Sequence, residues 1–220
     1  MTHVRSFTRR QALGYGGAAV TAVAVGVGVA PANAQSGRVA MDQLLKEGAL
    51  EDIWIGRPDA PVTIVEYASM TCAHCAAFHQ GTFQELKAQY IDTGKVRMTT
   101  REFPFDPLAT GAFMLARCEG PDKRGAMIEL LFARQQDWAA NPKPFEALVS
   151  LTRQAGMSQE RFESCLKDKE LYDKIASVRD HAAQAFNVRS TPTFFINGVL
   201  LTGNRPLADF ARIIDPLVNK

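Results

Sequence analysis

No uninterrupted apolar stretch in the 220 residues reaches the roughly 18 to 20 that a membrane span needs. Basic runs are missing as well. Residues 1–34 hold Arg5, Arg9 and Arg10 and no acid, so the rest of the chain carries 22 basic residues against 23 acidic ones. That balance leaves no basic field to hold nucleic acid and no polybasic patch for a membrane surface. Cysteine is scarce, with four in the whole chain and no second Cys/His pair at zinc-finger spacing. What is present is an ordinary globular mixture, 46% hydrophobic and 22% charged, with 16 Gly and 11 Pro. A chain of this length buries a full core without staples, as one domain or as one domain carrying a large insertion.

Residues 1–34 read as an export signal. Met1–Arg10 is basic and acid-free, Gln11–Ala30 is small and apolar, and Ala32-Asn33-Ala34 fits a small-x-small cleavage site. Cleavage after Ala34 would start the mature protein at Gln35 and place it in the periplasm. The alternative is a membrane anchor. Thr8-Arg9-Arg10-Gln11-Ala12-Leu13 fits a twin-arginine signal, although Ala12 stands where Phe is usual; an ordinary secretory n-region is the other route. Either route ends in an oxidising compartment, which governs how the cysteines are read.

The remainder divides by pattern. Residues 35–60 form a leader with a short helical pattern at Leu44, Leu45 and Leu50. Val62–Tyr67 is a β-branched run without alternation, the grammar of a strand buried on both faces. A helix is expected from about Cys72 to about Tyr90, kinked at Gly81, then a second strand over Lys95–Phe103. Residues 107–187 show helical faces only, such as Met114, Leu115 and Cys118, punctuated by Gly120-Pro121, Asn141-Pro142 and Gly156. Thr193–Ile196 and Val199–Leu201 flank Asn197-Gly198, the dipeptide of a type I′ hairpin, and a last helix is expected from about Leu207 to Leu217.

Chemistry concentrates in Cys72-Ala73-His74-Cys75, a C-x-x-C where a strand ends and a helix begins. The helix N-terminus favours an anion at the first sulfur, and His74 can add positive charge or a donor. Two intervening residues let the sulfurs reach bonding range. A plain disulfide fits the same spacing, as does a metal site with His79 as third ligand. The lack of a further Cys/His pair favours the redox reading, and no metal is assigned. Glu66, in the middle of an apolar strand six residues before Cys72, is out of pattern, because a buried carboxylate is costly unless it is paired or handles protons. The alternative is that Glu66 ends the strand and faces water. Ser190-Thr191-Pro192-Thr193 stands just before Phe194-Phe195-Ile196, a place where a cis proline is a deliberate feature.

Glu66–Cys75 together with Ser190–Gly198 resembles the DsbA-like thiol:disulfide oxidoreductases of the bacterial cell envelope, most closely an alphaproteobacterial branch. The resemblance covers nearly all of 59–220. It implies an α/β, thioredoxin-like fold with an inserted helical domain: 61–106 as its first part, 107–187 as the insert and 188–220 as its second part. It implies Cys72 as the exposed nucleophile, Cys75 as the buried resolving thiol, Glu66 as the buried acid and Thr191-Pro192 as a cis-proline loop facing the sulfurs. Reduced or unfolded exported proteins would be the substrates and a membrane quinone-linked partner the reoxidant, with no cofactor and a monomeric enzyme. Ala73 replaces the commoner Pro, and Thr191 the commoner Val, so Ala73, His74, Glu66, Thr191 and Pro192 are the expected tuners of the potential. Cys118 and Cys165, each among apolar helical neighbours, are expected to form one structural disulfide, the alternative being two buried thiols.

Overall fold

The computed structural model describes residues 37–46 and 48–218. The export signal expected over 1–34, with its cleavage site, lies outside the described residues.

Strand β1 (Val62–Ala68) is buried at all seven positions. It pairs in parallel with β2 (Val96–Glu102) on one side and antiparallel with β3 (Thr193–Ile196) on the other. Strand β4 (Val199–Thr202) completes the order β2-β1-β3-β4. Side chains alternate across a strand. Accordingly Val62 and Ile64 pack with Phe78, Phe194 and Phe210 on one face, and Val65 and Tyr67 with Phe186 and Phe195 on the other. Glu66 shares the Val62/Ile64 face, which aims it at the helix that follows. Asn197 and Gly198 both take positive φ, 43° and 83°, as a type I′ turn demands. A Cβ on Gly198 would lie 2.2 Å from the Val39 carbonyl oxygen, so this turn fits against the leader only as glycine. The leader makes one short helical turn, α1 (Met41–Leu44), and Val39 donates to the Gly198 carbonyl oxygen at 2.8 Å.

The helix expected over Cys72–Tyr90 is three pieces. Cys72 keeps an extended backbone (φ −78°, ψ 117°) as the N-cap of α2 (Ala73–Gln80). The chain breaks at Gly81, resumes as α3 (Thr82–Leu86) and ends in a π turn over Lys87–Ile91. Glycine, with no side chain to hold the helical conformation, interrupts the helix instead of merely bending it.

Six helices fill 107–187: α4 (Pro107–Cys118), α5 (Pro121–Ala133), α6 (Gln135–Ala139), α7 (Pro144–Gln154), α8 (Gln159–Leu166) and α9 (Lys169–Ala185). Proline opens α4, α5 and α7, where its missing N–H has no helical partner to lose. Their core, centred on Phe113, Phe132 and Trp138, also takes in Ala68, Met70 and Cys75, so the helical block packs directly over the C-x-x-C motif. Helix α10 (Leu207–Val218) lays Phe210 and Ile214 on the sheet. The described residues all belong to a single compact unit.

Candidate active site

Cys72 is half-buried, Cys75 fully buried, and both are free thiols. The turn that presents them is tied down from outside. Gln135 of α6, itself buried, donates through Nε2 to the carbonyl oxygens of Met70 at 2.8 Å and Cys72 at 3.0 Å. Thr71 Oγ1 donates to Asp106 Oδ2 at 2.5 Å, and the other oxygen of Asp106 caps α4 by accepting from the Ala109 N–H. Sequence reasoning passed over Gln135, Thr71 and Asp106. Of these only Asp106, placed before Pro107 at a helix start, left a local signal.

The two sulfurs sit in opposite electrostatic settings. The Cys72 thiol is lowered to about 5: a hydrogen bond from Cys75 is the largest cause and outweighs partial burial, with help from Thr191 and the backbone N–H groups of Cys75 and His74. Cys75 is pushed far up, first by burial, then by its bond to Cys72 and by the charge of Glu66. Of the charge or donor expected from His74, the donor is present. Its side chain is exposed, and what it gives Cys72 is a backbone N–H at the start of α2. Ala73 is exposed beside it.

The Thr191-Pro192 peptide is cis and buried against the motif. Contact with the nucleophile runs through the main chain, since Cys72 Sγ donates to the Thr191 carbonyl oxygen at 3.4 Å. The Thr191 hydroxyl, through which a contact was expected, is buried with no protein partner of its own in the thiol state.

Glu66 is completely buried, which disposes of the water-facing alternative. Its carboxylate accepts from Thr100 Oγ1 at 2.9 Å and meets His79 Nε2 at 3.0 and 3.2 Å. His79, weighed in the sequence as a third metal ligand, therefore points to Glu66. Among the described residues no group of three or more His, Cys, Asp or Glu is gathered to hold a metal ion. Cys118 of α4 is bonded to Cys165 of α8, with Cα atoms 6.1 Å apart.

This arrangement, a thiol pair of opposed acidity at a strand-to-helix turn facing a cis proline, is accompanied by a match of residues 49–216 to the thioredoxin family model. The chain belongs to the thioredoxin family. Within it the chain is a DsbA-like protein. Alpha-DsbA1 of Wolbachia pipientis superposes with a TM-score of 0.75 at 31% identity, over 82% of this chain and 96% of that one. A Rickettsia bellii protein with the provisional name of protein-disulfide oxidoreductase is 33% identical over 170 residues, which are 77% of this chain and 65% of its own length. The corresponding Rickettsia conorii protein is 35% identical, with 59% of its length spanned. The chain thus spans less than two-thirds of these two curated relatives. BdbD of Bacillus subtilis, at 21% identity and a TM-score of 0.68, shares the fold.

Proposed function

We propose that this protein is an envelope thiol:disulfide oxidoreductase that introduces disulfide bonds into exported proteins through Cys72 and Cys75. The observation that carries the reading is the asymmetry of the pair: Cys72 is half-exposed with a thiol lowered to about 5, while Cys75 is buried with its thiol raised.

In the oxidised enzyme a substrate thiolate attacks Cys72 Sγ, the Cys72–Cys75 bond breaks and a mixed disulfide forms. A second substrate thiolate then attacks the substrate sulfur of that disulfide and expels Cys72. The substrate gains a disulfide and loses two electrons, which remain on the enzyme as the dithiol. Expulsion is easy because the departing Cys72 thiolate is stabilised, and a low leaving-group pKa speeds exchange. The same stabilisation favours the reduced enzyme and so makes the oxidised enzyme a stronger oxidant. Each pKa unit of preferential thiolate stabilisation is worth about 1.4 kcal/mol, or about 30 mV for a two-electron couple. A substrate peptide would lie along the cis-proline loop by strand addition. The resemblance assigns reoxidation to a quinone-linked membrane partner. The chemistry needs no bound cofactor, and the short leader over 35–60 favours a monomer. The composition of residues 1–34 supports export to the periplasm.

Redox titration of Cys72–Cys75 against glutathione tests the direction. An oxidase should have a potential well above the roughly −270 mV of a thioredoxin-type reductase, toward the roughly −120 mV of DsbA. A potential at the thioredoxin end would make the protein a reductase.

A further inference from the structure

A cleft of about 320 Å³ opens over the sheet face that carries Val65 and Tyr67. Neither cysteine of the C-x-x-C turn lines it, nor does the cis-proline loop. Strand register sets its floor. Tyr67 of β1 and Arg101 of β2 are cross-strand partners and therefore share a face. Helix α9 supplies Ser177, Val178 and His181, and the leader adds Lys46 and Leu50. The volume lies at the small end of ligand pockets, which run from roughly 300 to 1,000 Å³.

Hydrogen-bond donors are left over in this cleft. Arg101 donates to both carboxylate oxygens of Asp52, to the Leu44 carbonyl oxygen and to the Tyr67 hydroxyl oxygen, which uses four of its five N–H groups. Arg117 donates twice to Glu102 and once to the Glu51 carbonyl oxygen, which uses three. The Tyr67 oxygen accepts from Arg101, and its own O–H has no acceptor among the described residues, although Tyr67 is only 1% exposed.

Positive charge is left over as well. The side chains of Arg101, Arg117 and Arg124 of α5 are all largely buried, and among the described residues their ion-pair partners are Asp52 and Glu102 alone. Glu102 serves both Arg117 and Arg124. Arg124 is held below the usual arginine range, first by burial and, against the pull of Glu102, by the charge of Arg117. Glu51, Asp168 and Glu170 line an adjoining cleft with Arg117, but all three are exposed and water screens them. Lys46, also exposed, adds a further cation. Water can satisfy spare donors, but it brings no charge, and a buried charge without a partner is costly.

We propose that this cleft binds a small organic monocarboxylate. Its head takes the spare N–H groups of Arg101 and Arg117 and the Tyr67 O–H, and its short apolar body lies on Leu50 and Val178. A guanidinium fork matches a carboxylate in geometry as well as in charge. Three buried guanidiniums against two carboxylates leave room for one negative charge. The half-buried Leu50 and Val178 offer nothing to a bare inorganic ion, so the lining selects an acid that carries a tail. The site is independent of the dithiol chemistry and does not rest on the oxidoreductase reading.

Titration calorimetry on the full chain, in a buffer free of carboxylate and phosphate, tests this with three probes. Hexanoate should bind with one equivalent per protein. It should bind at least about tenfold more tightly than hexanol, which has the tail without the charge, and than inorganic phosphate, which has the charge without the tail. Tyr67→Phe should weaken hexanoate by about tenfold, as for the loss of one hydrogen bond to a charged group, and leave hexanol unchanged. Ser177→Trp sets a large side chain at an exposed position of α9 that lines the cleft. It should abolish hexanoate binding, and it carries the test if the phenylalanine variant fails to fold. Lys46→Gln should cost only about two- to threefold, because an exposed charge is screened. Hexanoate binding no tighter than hexanol, or unchanged in both Tyr67→Phe and Ser177→Trp, would overturn the site. Phosphate binding as tightly as hexanoate would overturn the organic acid as its ligand.

Discussion

Cys72 and Cys75 sit where β1 passes into α2, among donors, an acceptor and charge: backbone N–H groups, the Thr191 carbonyl oxygen and the Glu66 carboxylate. Cys118 and Cys165 join two helices of the block, and Cys165 is buried beside Phe162. The same atom type does two jobs because its surroundings differ. At the turn, the environment separates the two thiols in acidity and so makes their bond labile. In the block, the two sulfurs are joined to each other, and the bond acts as a crosslink between α4 and α8. The buried glutamates on adjacent strands repeat the contrast. Glu102 is completely buried and gripped by Arg117 at 2.8 Å and Arg124 at 2.7 Å. Glu66, equally buried, meets a hydroxyl and an imidazole among the described residues. Fixed cations lock a carboxylate into one charge state; groups that themselves exchange protons do not.

The sharpest way to break the contrast between the cysteine pairs is to remove one sulfur at a time. Cys72→Ser should abolish oxidation of a reduced test protein, a loss on the order of a thousandfold or more, as expected for deletion of a nucleophile. Cys75→Ser should accumulate mixed disulfides that non-reducing electrophoresis displays. If Cys72→Ser were the trapping variant, the roles assigned to the two sulfurs would be exchanged.

The double variant Cys118→Ala/Cys165→Ala probes the other pair. The two cysteines are 47 residues apart, so the loop-closure relation gives about 4 kcal/mol of stabilisation. Urea unfolding should show a loss of about that size, while the potential of Cys72–Cys75 stays put. A shifted potential at unchanged stability would mean that the block pair tunes the redox pair instead of bracing the helices.

Glu102 follows. Burial alone would raise its carboxyl, but Arg124 and Arg117 more than compensate and hold it at about 2. A depressed folded value contributes stability that is complete above the unfolded value of about 4.3 and is lost as pH falls toward 2. Two units or so amount to roughly 3 kcal/mol. Glu102→Gln should therefore destabilise the protein by about 3 kcal/mol at pH 7 and flatten the acid limb of its stability curve. An acid limb identical to that of wild type would place the responsible carboxylate elsewhere.

How much of this was written in the sequence depends on the range of the contact. The C-x-x-C motif, the out-of-pattern Glu66 and the Asn197-Gly198 turn are local signals, legible because backbone geometry and strand periodicity dictate them. Gln135 reaches the active-site turn across 63 and 65 residues, and Arg124 reaches Glu102 across 22. Nothing in their own neighbourhoods marks either residue, so only the packing of the helical block discloses them. His79 falls between the two cases. Its spacing of four from Cys75 puts it on the sulfur's face, but its partner Glu66 comes from a strand whose register against α2 no local pattern fixes. His74 shows the same limit. Proximity in sequence suggested a charge or a donor beside the nucleophile, and the fold supplies the donor from the peptide N–H while the side chain is exposed.

The smallest expected effect lies at Thr191, where the thiol pair touches the rest of the fold. Its carbonyl oxygen already takes the Cys72 hydrogen bond, so a change of side chain leaves that contact in place. The hydroxyl is buried without a partner in the thiol state, yet it is among the groups that favour the Cys72 thiolate. Both statements hold if the hydroxyl turns to the sulfur once Cys72 ionises. Thr191→Val then has two consequences of opposite sign. Removing a buried hydroxyl that is unpaired in the thiol state should stabilise that neutral reduced form, by about 1 kcal/mol, and so raise the potential. Removing a donor from the thiolate should raise the Cys72 pKa above 5 and disfavour the reduced form, lowering the potential. A hydrogen bond to a charged group is worth about 1.5–3 kcal/mol, and about 30 mV corresponds to 1.4 kcal/mol, so the shift should be some tens of millivolts at most. Thiolate absorbance against pH and the glutathione titration read the two quantities independently. A Cys72 pKa that stays at its wild-type value while the potential falls would mean that Thr191 acts on the disulfide form alone, through packing against the Cys72–Cys75 bond.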